Sequence, residues 1–229
     1  MDSTVPMHII ARIHTDFASK FGVPRQSGLV EELRGEIVFE PPYRNRDAVR
    51  GIGDFSHLWL IWQFSHAVRE EWSPTVRPPR LGGNERMGVF ATRSPFRPNS
   101  IGLSCVRLER VEFSPERGPV LHVLGADLVD GTPIFDIKPY IPYADCRPEA
   151  TGGFTDTKSF ALLEVEIPET EAKKLPADKL QALRGVLERD PRPSYQNDPR
   201  RSYGFVFAGY EIRFCVDGDC LTVTSAEKV

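Results

Sequence analysis

The segment RPPRLGGNERMGVFATRSPFRPNSIG, residues 77–102, decides how the rest of the sequence is interpreted. Its prolines fix the backbone φ angle and its glycines permit sharp turns. We therefore interpret it as two rigid loops on either side of one short apolar strand, Met87 to Ala91. It contains a single acid, Glu85, and five arginines: Arg77, Arg80, Arg86, Arg93 and Arg97. Because arginine presents a flat fork of donors, the segment predicts a ligand or nucleic-acid site, with a solvated loop surface as the alternative.

The basic charge of the chain is concentrated around this segment. The 229 residues carry a formal net charge of −3, which is not the composition of a uniformly basic nucleic-acid binder. Residues 69–110, in contrast, contain eight arginines and four glutamates. A basic face on a mildly acidic protein predicts recognition of a polyanion through one side. The bias toward arginine, 22 against 7 lysines, has a GC-rich genome as an equally good explanation.

Cysteine usage and the hydrophobic runs predict the compartment. The four cysteines have no disulfide-framework spacing, which is typical of a reducing cytoplasm. Residues 1–7 lack the charged and then apolar pattern of a signal peptide. The longest apolar stretch, Leu58 to Phe64, is too short to span a bilayer. We expect a cytoplasmic protein with no membrane segment.

Short strands joined by Gly/Pro turns dominate the pattern up to residue 143. Strands are expected at residues 7–14, 33–39, 57–64, 101–108, 120–124 and 134–137. The nearly all-apolar strand at 57–64 is expected to be covered on both faces. Within 101–108 the apolar alternation changes phase after Cys105, which predicts a bulge or a strand that passes between two layers. This order of elements predicts a barrel or sandwich and not an alternating βαβ sheet.

The polar, Gly-rich segment 146–157 is expected to separate two domains, 1–150 and 151–229. In the second domain we expect a strand at 160–167, a helix from Pro176 to about Arg189, and a hairpin at 205–224. The pattern predicts a mainly β fold class, a barrel or sandwich followed by a small α+β domain. Gly51-Ile52-Gly53 lacks the third glycine and the strand-to-helix context of a dinucleotide loop.

Few side chains have the spacing of a known catalytic signature. The five histidines show no metal-ligand spacing, so no metal is expected. Two weaker groups remain: Asp127, Asp130 and Asp136 with Lys138 and Tyr140, and the pair Ser65-His66. Acids at strand ends bind ribose hydroxyls or accept protons. The alternatives are structural: Asp130 forms the Asp-Gly turn, Asp136 pairs with Lys138, and His66 is a satisfied loop residue.

Four motifs, in this order along the chain, resemble those of the TsaA-like family of tRNA methyltransferases, also called TrmO. They are Pro24-Arg25-Gln26-Ser27-Gly28-Leu29, residues 77–84, residues 90–99 and residues 127–133, supported by Lys138-Pro139-Tyr140. The likeness covers about residues 8–150, and the C-terminal part is similar to the extra domain of bacterial members. Two positions depart from the family pattern, Ser27 and Ser100, where a proline is expected.

The resemblance implies a compact β-barrel methyltransferase domain that is not Rossmann-like, in a homodimeric enzyme that uses S-adenosyl-L-methionine. It would methylate threonylcarbamoyladenosine beside the anticodon of threonine tRNA. Carried onto this chain, the cofactor pocket would be lined by Pro24, Arg25, Gln26, Ser65, His66, Arg93, Leu103, Asp127, Leu128, Val129, Asp130 and Gly131.

Methyl transfer to a carbamoyl-bearing nitrogen needs alignment of the reactants and removal of a proton. The candidates for the base are Asp130, Asp136, Tyr140 and His66. The predicted substrate-binding residues are Arg80, Arg97, Asn99 and Lys138. We hypothesise that one arginine among Arg25, Arg80, Arg93 and Arg97 forks the threonyl carboxylate.

Two other functions fit the same residues. One is a non-catalytic RNA-binding β-barrel that holds tRNA through its arginine loops. The other is an S-adenosylmethionine-dependent enzyme that methylates a small molecule. The RNA-binding module would not bind S-adenosylmethionine, whereas the methyltransferase would. The small-molecule enzyme would bind the cofactor but show no dependence on tRNA.

Overall fold

The computed structural model describes residues 4–68, 71–78, 85–156, 161–192 and 198–229. Within these ranges, six antiparallel strands close into a barrel in the order β1-β2-β7-β6-β3-β8. The barrel strands are β1 Ala11–Thr15, β2 Arg34–Phe39, β3 His57–Gln63, β6 Ile101–Ser114, β7 Gly118–Leu124 and β8 Thr132–Pro139. A separate two-stranded sheet pairs β4 Thr75–Val76 with β5 Met87–Gly88. The prediction of a mainly β fold built on a barrel is confirmed.

Strand β3 shows how the sequence pattern builds the barrel. Leu58, Leu60 and Trp62 are at most 7% exposed and lie in the barrel core, while the residues between them are only half-buried. The prediction that this strand is covered on both faces is therefore wrong. Side chains of a strand alternate between its faces, and the outer face of a closed barrel needs only partial cover.

Strand β6 also differs from the expectation. Gly102, Ser104 and Val106 are its buried positions, and the alternation continues through Cys105 without a break. Its register with β3 is regular, and the irregularity lies opposite β7, between Leu108 and Arg110. The apolar residues Leu103 and Cys105 thus point away from the core, and the predicted bulge near Cys105 is absent from this strand.

The apolar segment Met87 to Ala91 forms a strand over only two residues. Beyond Gly88 the backbone turns into a 3-10 helix, Val89–Ala91. Val89 is 1% exposed and anchors this turn, and its backbone N–H donates to the Pro74 carbonyl over 3.0 Å. The turn leaves Phe90 72% exposed, so the predicted single strand is wrong in its second half.

In the described residues of the C-terminal part, a sheet in the order β10-β11-β12-β9 packs against a helix. Its strands are β9 Glu164–Glu166, β10 Tyr203–Phe207, β11 Tyr210–Asp217 and β12 Cys220–Lys228. The helices are α1 Pro142–Asp145, α2 Glu169–Ala172 and α3 Ala177–Glu188. Helix α3 follows Pro176 as predicted and buries Leu183, Val186 and Leu187. The predicted small α+β part is confirmed, and no helix in the described ranges is long and apolar enough to cross a bilayer.

The second hydrophobic core includes residues from the barrel half of the chain. Phe17, Val30 and Leu33, from the connection between β1 and β2, are buried among the residues of α3 and the C-terminal sheet. Lys179 on α3 forms an ion pair with Asp16 over 2.7 Å. The β1–β2 connection is therefore held from both sides. The division of the chain into 1–150 and 151–229 stays a prediction.

Candidate active site

A cavity of about 790 Å³ lies where β3 ends and β6 and β8 begin. Small-molecule sites in proteins usually have volumes of about 300–1,000 Å³. Four segments of chain converge on it: the β1–β2 connection, the turn after β3, the loop before β6 and the loop between β7 and β8. Loops on a rigid barrel are where binding residues concentrate.

Most of the residues assigned to the cofactor by resemblance line this one cavity. They are Pro24, Arg25, Gln26, Ser65, His66, Arg93, Leu103, Asp127, Leu128 and Val129. Arg97 and Asn99 from the predicted substrate set line it too. Residues separated by up to about a hundred positions in sequence are thus brought together. Their roles stay predictions.

Asp130 and Gly131 lie next to the cavity residues in sequence but do not line the cavity. The Asp130 carboxylate accepts from the backbone N–H of Thr15 over 3.0 Å and lies 3.2 Å from the His14 ring. Gly131 has φ +74 and forms the turn into β8. This placement matches the alternative reading of Asp130 as a turn-forming residue.

The predicted residues Asp136, Lys138 and Tyr140 lie on β8 or directly after it, and none of them lines this chain's cavity. Asp136 and Lys138 form an ion pair over 2.9 Å, as the structural alternative expects. Tyr140 packs its ring against His57 and Trp59, at the opposite end of β3 from the cavity. The pKa of its phenol is raised, because desolvation by burial and the neighbouring Cys146 and Asp145 disfavour the phenolate. Arg80 lies outside the described residues.

Of the four predicted base candidates, His66 is the one that lines the cavity. It lies in a 3-10 helix, Ser65–Ala67, directly after β3. The backbone N–H of Phe64 donates to the Ser100 carbonyl over 2.9 Å, which ties this turn to the start of β6.

Asp127 is the only carboxylate among the described residues that line the cavity. Its Oδ1 accepts a hydrogen bond of 2.6 Å from Ser104 Oγ, which in turn accepts one of 3.0 Å from Trp62 Nε1. Burial raises the pKa of Asp127 to about 6, against the lowering effects of the Ser104 hydroxyl and the Arg93 guanidinium. This carboxyl therefore changes charge just below neutral pH.

Ser104 and Trp62 are site residues that the sequence interpretation missed. Ser104 is 1% exposed and sits inside the barrel, where a polar residue must be hydrogen-bonded. The available signal was the alternation of Gly102, Ser104 and Val106, which places a serine on the inner face. That signal was obscured by the apolar residues Leu103 and Cys105 on the outer face.

The arginines of the cavity are held by short polar contacts. Arg93 donates to the Gln26 side-chain oxygen, which joins the loop before β6 to the β1–β2 connection. Arg97 Nη1 donates to the Thr92 carbonyl over 3.1 Å. Fixed guanidinium groups lose less entropy on binding an anion than free ones, so they suit a carboxylate or phosphate ligand.

The two loops nearest Asp127 are fixed to one another through their backbones. Gly28 N–H donates to the Gly125 carbonyl over 2.9 Å, and Gly125 N–H donates to the Leu33 carbonyl over 2.8 Å. Thr15 Oγ1 donates to the Leu128 carbonyl over 2.9 Å. In the described residues no cluster of His, Cys, Asp and Glu has the arrangement of a metal site. The charged residues that line the cavity in the described ranges are four basic ones, Lys20, Arg25, Arg93 and Arg97, and the one acid Asp127.

Two family models match this chain. The tRNA-methyltransferase O N-terminal domain matches residues 12–146, and the TrmO C-terminal domain matches residues 160–229. The chain belongs to the TrmO family.

Similar proteins agree with this assignment. A tRNA (adenine(37)-N6)-methyltransferase of Escherichia coli is 42% identical over 215 residues, covering 90% of this chain and 91% of that protein. A Pseudomonas aeruginosa protein named as a putative S-adenosylmethionine-dependent methyltransferase, RcsF, is 42% identical over 204 residues, 85% of each chain. A crystal structure of TrmO from P. aeruginosa superposes with a TM-score of 0.82 at 31% identity, covering 100% of this chain and 99% of that one.

Proposed function

We propose that this TrmO-family chain is an S-adenosylmethionine-dependent methyltransferase that methylates N6 of adenosine 37 in tRNA. The names of its relatives in E. coli and Eikenella corrodens support the reaction, the latter 45% identical over 71% of this chain and 92% of its own length. The observation that carries the proposal in this chain is the cavity itself. It gathers the motif residues around one ionisable acid.

The side chains of the cavity fit the chemistry of the cofactor. S-adenosylmethionine would supply a methyl group on a positively charged sulfonium, together with an amino-acid ammonium and carboxylate. Asp127 offers a carboxylate for positive charge, and Arg93 offers a guanidinium for negative charge. An apolar surface for a purine is offered by Leu128, Trp62 and Phe64. The ring centroids of Trp62 and Phe64 lie 4.3 Å apart.

The chain's own residues would contribute alignment and proton removal. The loops that carry Arg93 and Asp127 are fixed by hydrogen bonds, so bound reactants would be held in one orientation. The acceptor nitrogen must lose a proton, and the candidate bases among the described cavity residues are His66 and Asp127, of which Asp127 has its pKa raised to about 6.

We further propose that the accepted adenosine already carries a threonylcarbamoyl group and belongs to threonine tRNA. The carboxylate of that group gives the basic cavity a specific partner. Arg97 is the best placed candidate to fork it, because it lines the cavity and is held by Thr92.

The test is mass spectrometry of nucleosides from threonine tRNA after incubation with the enzyme and labelled cofactor. A mass gain of one labelled methyl on threonylcarbamoyladenosine is expected, and Arg97→Lys should lose discrimination against unmodified tRNA. Equal methylation of unmodified tRNA by the parent enzyme would contradict the carboxylate fork. Cofactor binding without any tRNA dependence would favour the small-molecule enzyme, and no cofactor binding would favour the non-catalytic RNA-binding module.

A homodimer is part of the same proposal. Lys138 and Tyr140 belong to the family-like motifs yet, like the nearby base candidate Asp136, lie away from the cavity of their own chain. A second copy that contributed these residues would give them a role in catalysis. Mixing inactive Asp127→Asn with inactive Tyr140→Phe chains should then restore part of the activity. A monomer by native mass spectrometry, or no restoration, would contradict a shared site.

We also keep the expectation of a cytoplasmic location. It rests on the scattered free cysteines, of which Cys146 and Cys220 are exposed. Fractionation of cells that express the protein at its natural level would test it.

A further inference from the structure

Two large aromatic side chains are exposed beside the mouth of the cavity. Phe90 is 72% exposed and lines the cavity rim, and Trp72 is 50% exposed. Their ring centroids lie 6.1 Å apart with an interplanar angle of 27°, so they stack on each other. Two aromatic rings exposed to water do not gain the stabilisation that burial would give them. Exposed apolar patches often mark an interaction site.

The backbone that carries this pair is tightly fixed. Strands β4 and β5 pair Thr75 with Gly88, and the turn of Phe90 is anchored by buried Val89. Thr92 donates through both its backbone N–H and its hydroxyl to the Val89 carbonyl. Phe90 is therefore held outward by its scaffold.

The charge around the pair fits a polyanion. The described residues 71–78 and 85–99 contain four arginines against two glutamates: Arg77, Arg86, Arg93 and Arg97 against Glu71 and Glu85. The Arg97 guanidinium lies 6.0 Å from the Phe90 ring centroid, and Arg97 also lines the cavity. Aromatic rings flanked by arginines are the usual surface for unpaired nucleic-acid bases.

We propose that Trp72 and Phe90 form a stacking platform for an RNA base next to the adenosine that enters the cavity. This inference rests on the proposed tRNA substrate. An adenosine in an anticodon loop must leave its stack to reach an enclosed pocket, which exposes the face of a neighbouring base. Phe90, at the rim, can replace the lost stacking partner, and Trp72 supports it from behind. Arg97 would hold the phosphate or the carboxylate between platform and cavity.

The chain offers a matched control for this platform. Phe113, near the far end of β6, is 46% exposed and has the Arg46 guanidinium 4.3 Å from its ring centroid. Like Phe90, Phe113 is an exposed ring with a guanidinium group near its face. It lies ten positions along β6 from Leu103, which lines the cavity. At about 3.3 Å per residue, ten positions of strand span at most about 33 Å, so Phe113 lies well outside the cavity.

The experiment uses an anticodon stem–loop RNA with 2-aminopurine placed beside the target adenosine. With the parent enzyme, the fluorescence of 2-aminopurine should be quenched by stacking. Base–aromatic stacking is worth enough that Phe90→Ala should raise the RNA Kd and KM about tenfold. Phe90→Trp should restore both quenching and affinity, while Phe90→Leu should not. Trp72→Ala should weaken RNA binding and leave the cofactor Kd unchanged, and Phe113→Ala should change neither.

Three other outcomes would contradict the platform or the proposed function. Parent-like quenching and RNA affinity in Phe90→Ala would overturn the platform while leaving the methyltransferase proposal intact. A parent enzyme that does not methylate tRNA would instead defeat the proposed function. Native mass spectrometry of Phe90→Ala and Trp72→Ala provides the last check. A shift in oligomeric state with unchanged RNA affinity would overturn the platform and assign the pair to a contact between protein chains.

Discussion

Asp127 combines a buried carboxyl with an opening toward ligand, and its charge depends on pH near neutrality. Its pKa is raised to about 6, chiefly by burial. A cationic cofactor is attracted only to the ionised form, so affinity should rise as the pH passes through about 6. From the Coulomb energy of a partly screened pair, we expect cofactor affinity to fall about tenfold between pH 7 and pH 5.

Isothermal titration calorimetry across this window tests the expectation. Asp127→Asn should bind cofactor weakly and with little pH dependence. His66 also lines the cavity, so the same titration of the His66→Gln variant shows whether any part of the pH slope arises at that residue. A slope in Asp127→Asn equal to that of the parent would contradict the role of Asp127.

The same carboxyl has a predictable effect on stability. Because its pKa is higher in the folded protein than in the unfolded chain, the folded state binds the proton more tightly. The free energy of unfolding therefore falls as the pH rises from about 4 to about 6, by about 3 kcal/mol at most. Asp127→Asn should lack this loss, so its stability relative to the parent should rise over that window. Urea unfolding at pH 4.5 and pH 7 measures the difference, with Asp136→Asn as the control outside the cavity.

Ser104 links the barrel core to Asp127. Ser104→Ala removes the donor to Asp127 and leaves the Trp62 indole N–H, on a side chain 7% exposed, without its acceptor. An unsatisfied buried polar group costs about 1–3 kcal/mol, and loss of the hydrogen bond should raise the pKa of Asp127 further. Thermal unfolding and the pH profile of cofactor binding measure the two effects. An unchanged profile in Ser104→Ala would show that the hydroxyl does not act on Asp127.

Strand β6 shows how far the sequence determines the site and where it stops. The presence of the strand, its approximate start and its place in a barrel follow from alternation and turn residues. The residues on its inner face do not follow from that pattern. Gly102 leaves room for the Trp62 ring and Ser104 accepts a hydrogen bond from it, so neither position is a large apolar residue. A Cβ atom on Gly102 would lie 2.2 Å from the Trp62 ring. Such complementarity between strands distant in sequence has no periodic signal.

The motif residues illustrate the same limit. The family resemblance grouped Asp127, Leu128 and Val129 with the cofactor residues, and all three line the cavity. The resemblance also grouped Asp130, whose side chain turns away to Thr15. Most of the residues assigned to the cofactor by resemblance line the cavity, but the fold decides which neighbours in sequence face the same side.

The β1–β2 connection depends on a glycine that touches the second domain. Gly22 has φ +95, and a Cβ atom there would lie 2.5 Å from the Phe205 ring on β10. Gly22→Ala should therefore cost about 2–3 kcal/mol through backbone strain and overpacking, and should displace the nearby cofactor segment Val23 to Gln26. The cost is measured by chemical unfolding and the displacement by cofactor Kd.

Gly28 is the matched control for this change. It has φ +75 in the same connection, but a Cβ atom there would meet nothing within 4 Å. Gly28→Ala should therefore show only the backbone cost of about 1–2 kcal/mol. Equal losses in the two variants would show that contact with Phe205 does not matter.

For the whole molecule, the consequence is that the C-terminal half supports the cofactor segment of the barrel half. Phe21 packs edge-on against Phe205 with ring centroids 6.1 Å apart, and Arg189 Nη2 donates to the Leu29 carbonyl over 3.0 Å. A change in the C-terminal core should thus be felt in cofactor affinity as well as in global stability. The family match over residues 160–229 places this support within the TrmO C-terminal domain.

Some arginines of the C-terminal half are held in structural contacts, and others are exposed and able to bind phosphate. Arg184 donates to the Val165 carbonyl over 2.6 Å, and Arg192 is 8% exposed and donates from Nε and Nη2 to the Asp190 carboxylate. Arg200, in contrast, has a side chain 94% exposed, 3.9 Å from Asp198, and Arg201 beside it is also exposed. Only exposed guanidinium groups can neutralise tRNA phosphates without first breaking a buried pair.

Salt dependence of tRNA binding should follow this division. The parent should show a steep negative slope of log affinity against log salt, and replacing both Arg200 and Arg201 with Gln should lower its magnitude by about 1–2. Arg192→Gln should leave the slope unchanged while lowering the melting temperature, because it strands the Asp190 carboxylate. Filter binding between 50 and 300 mM KCl, with melting curves of each variant, makes the comparison. If the double variant keeps the parent slope, the phosphates are tracked by the arginines of residues 77–97 instead, and the C-terminal domain acts only by supporting the cofactor segment.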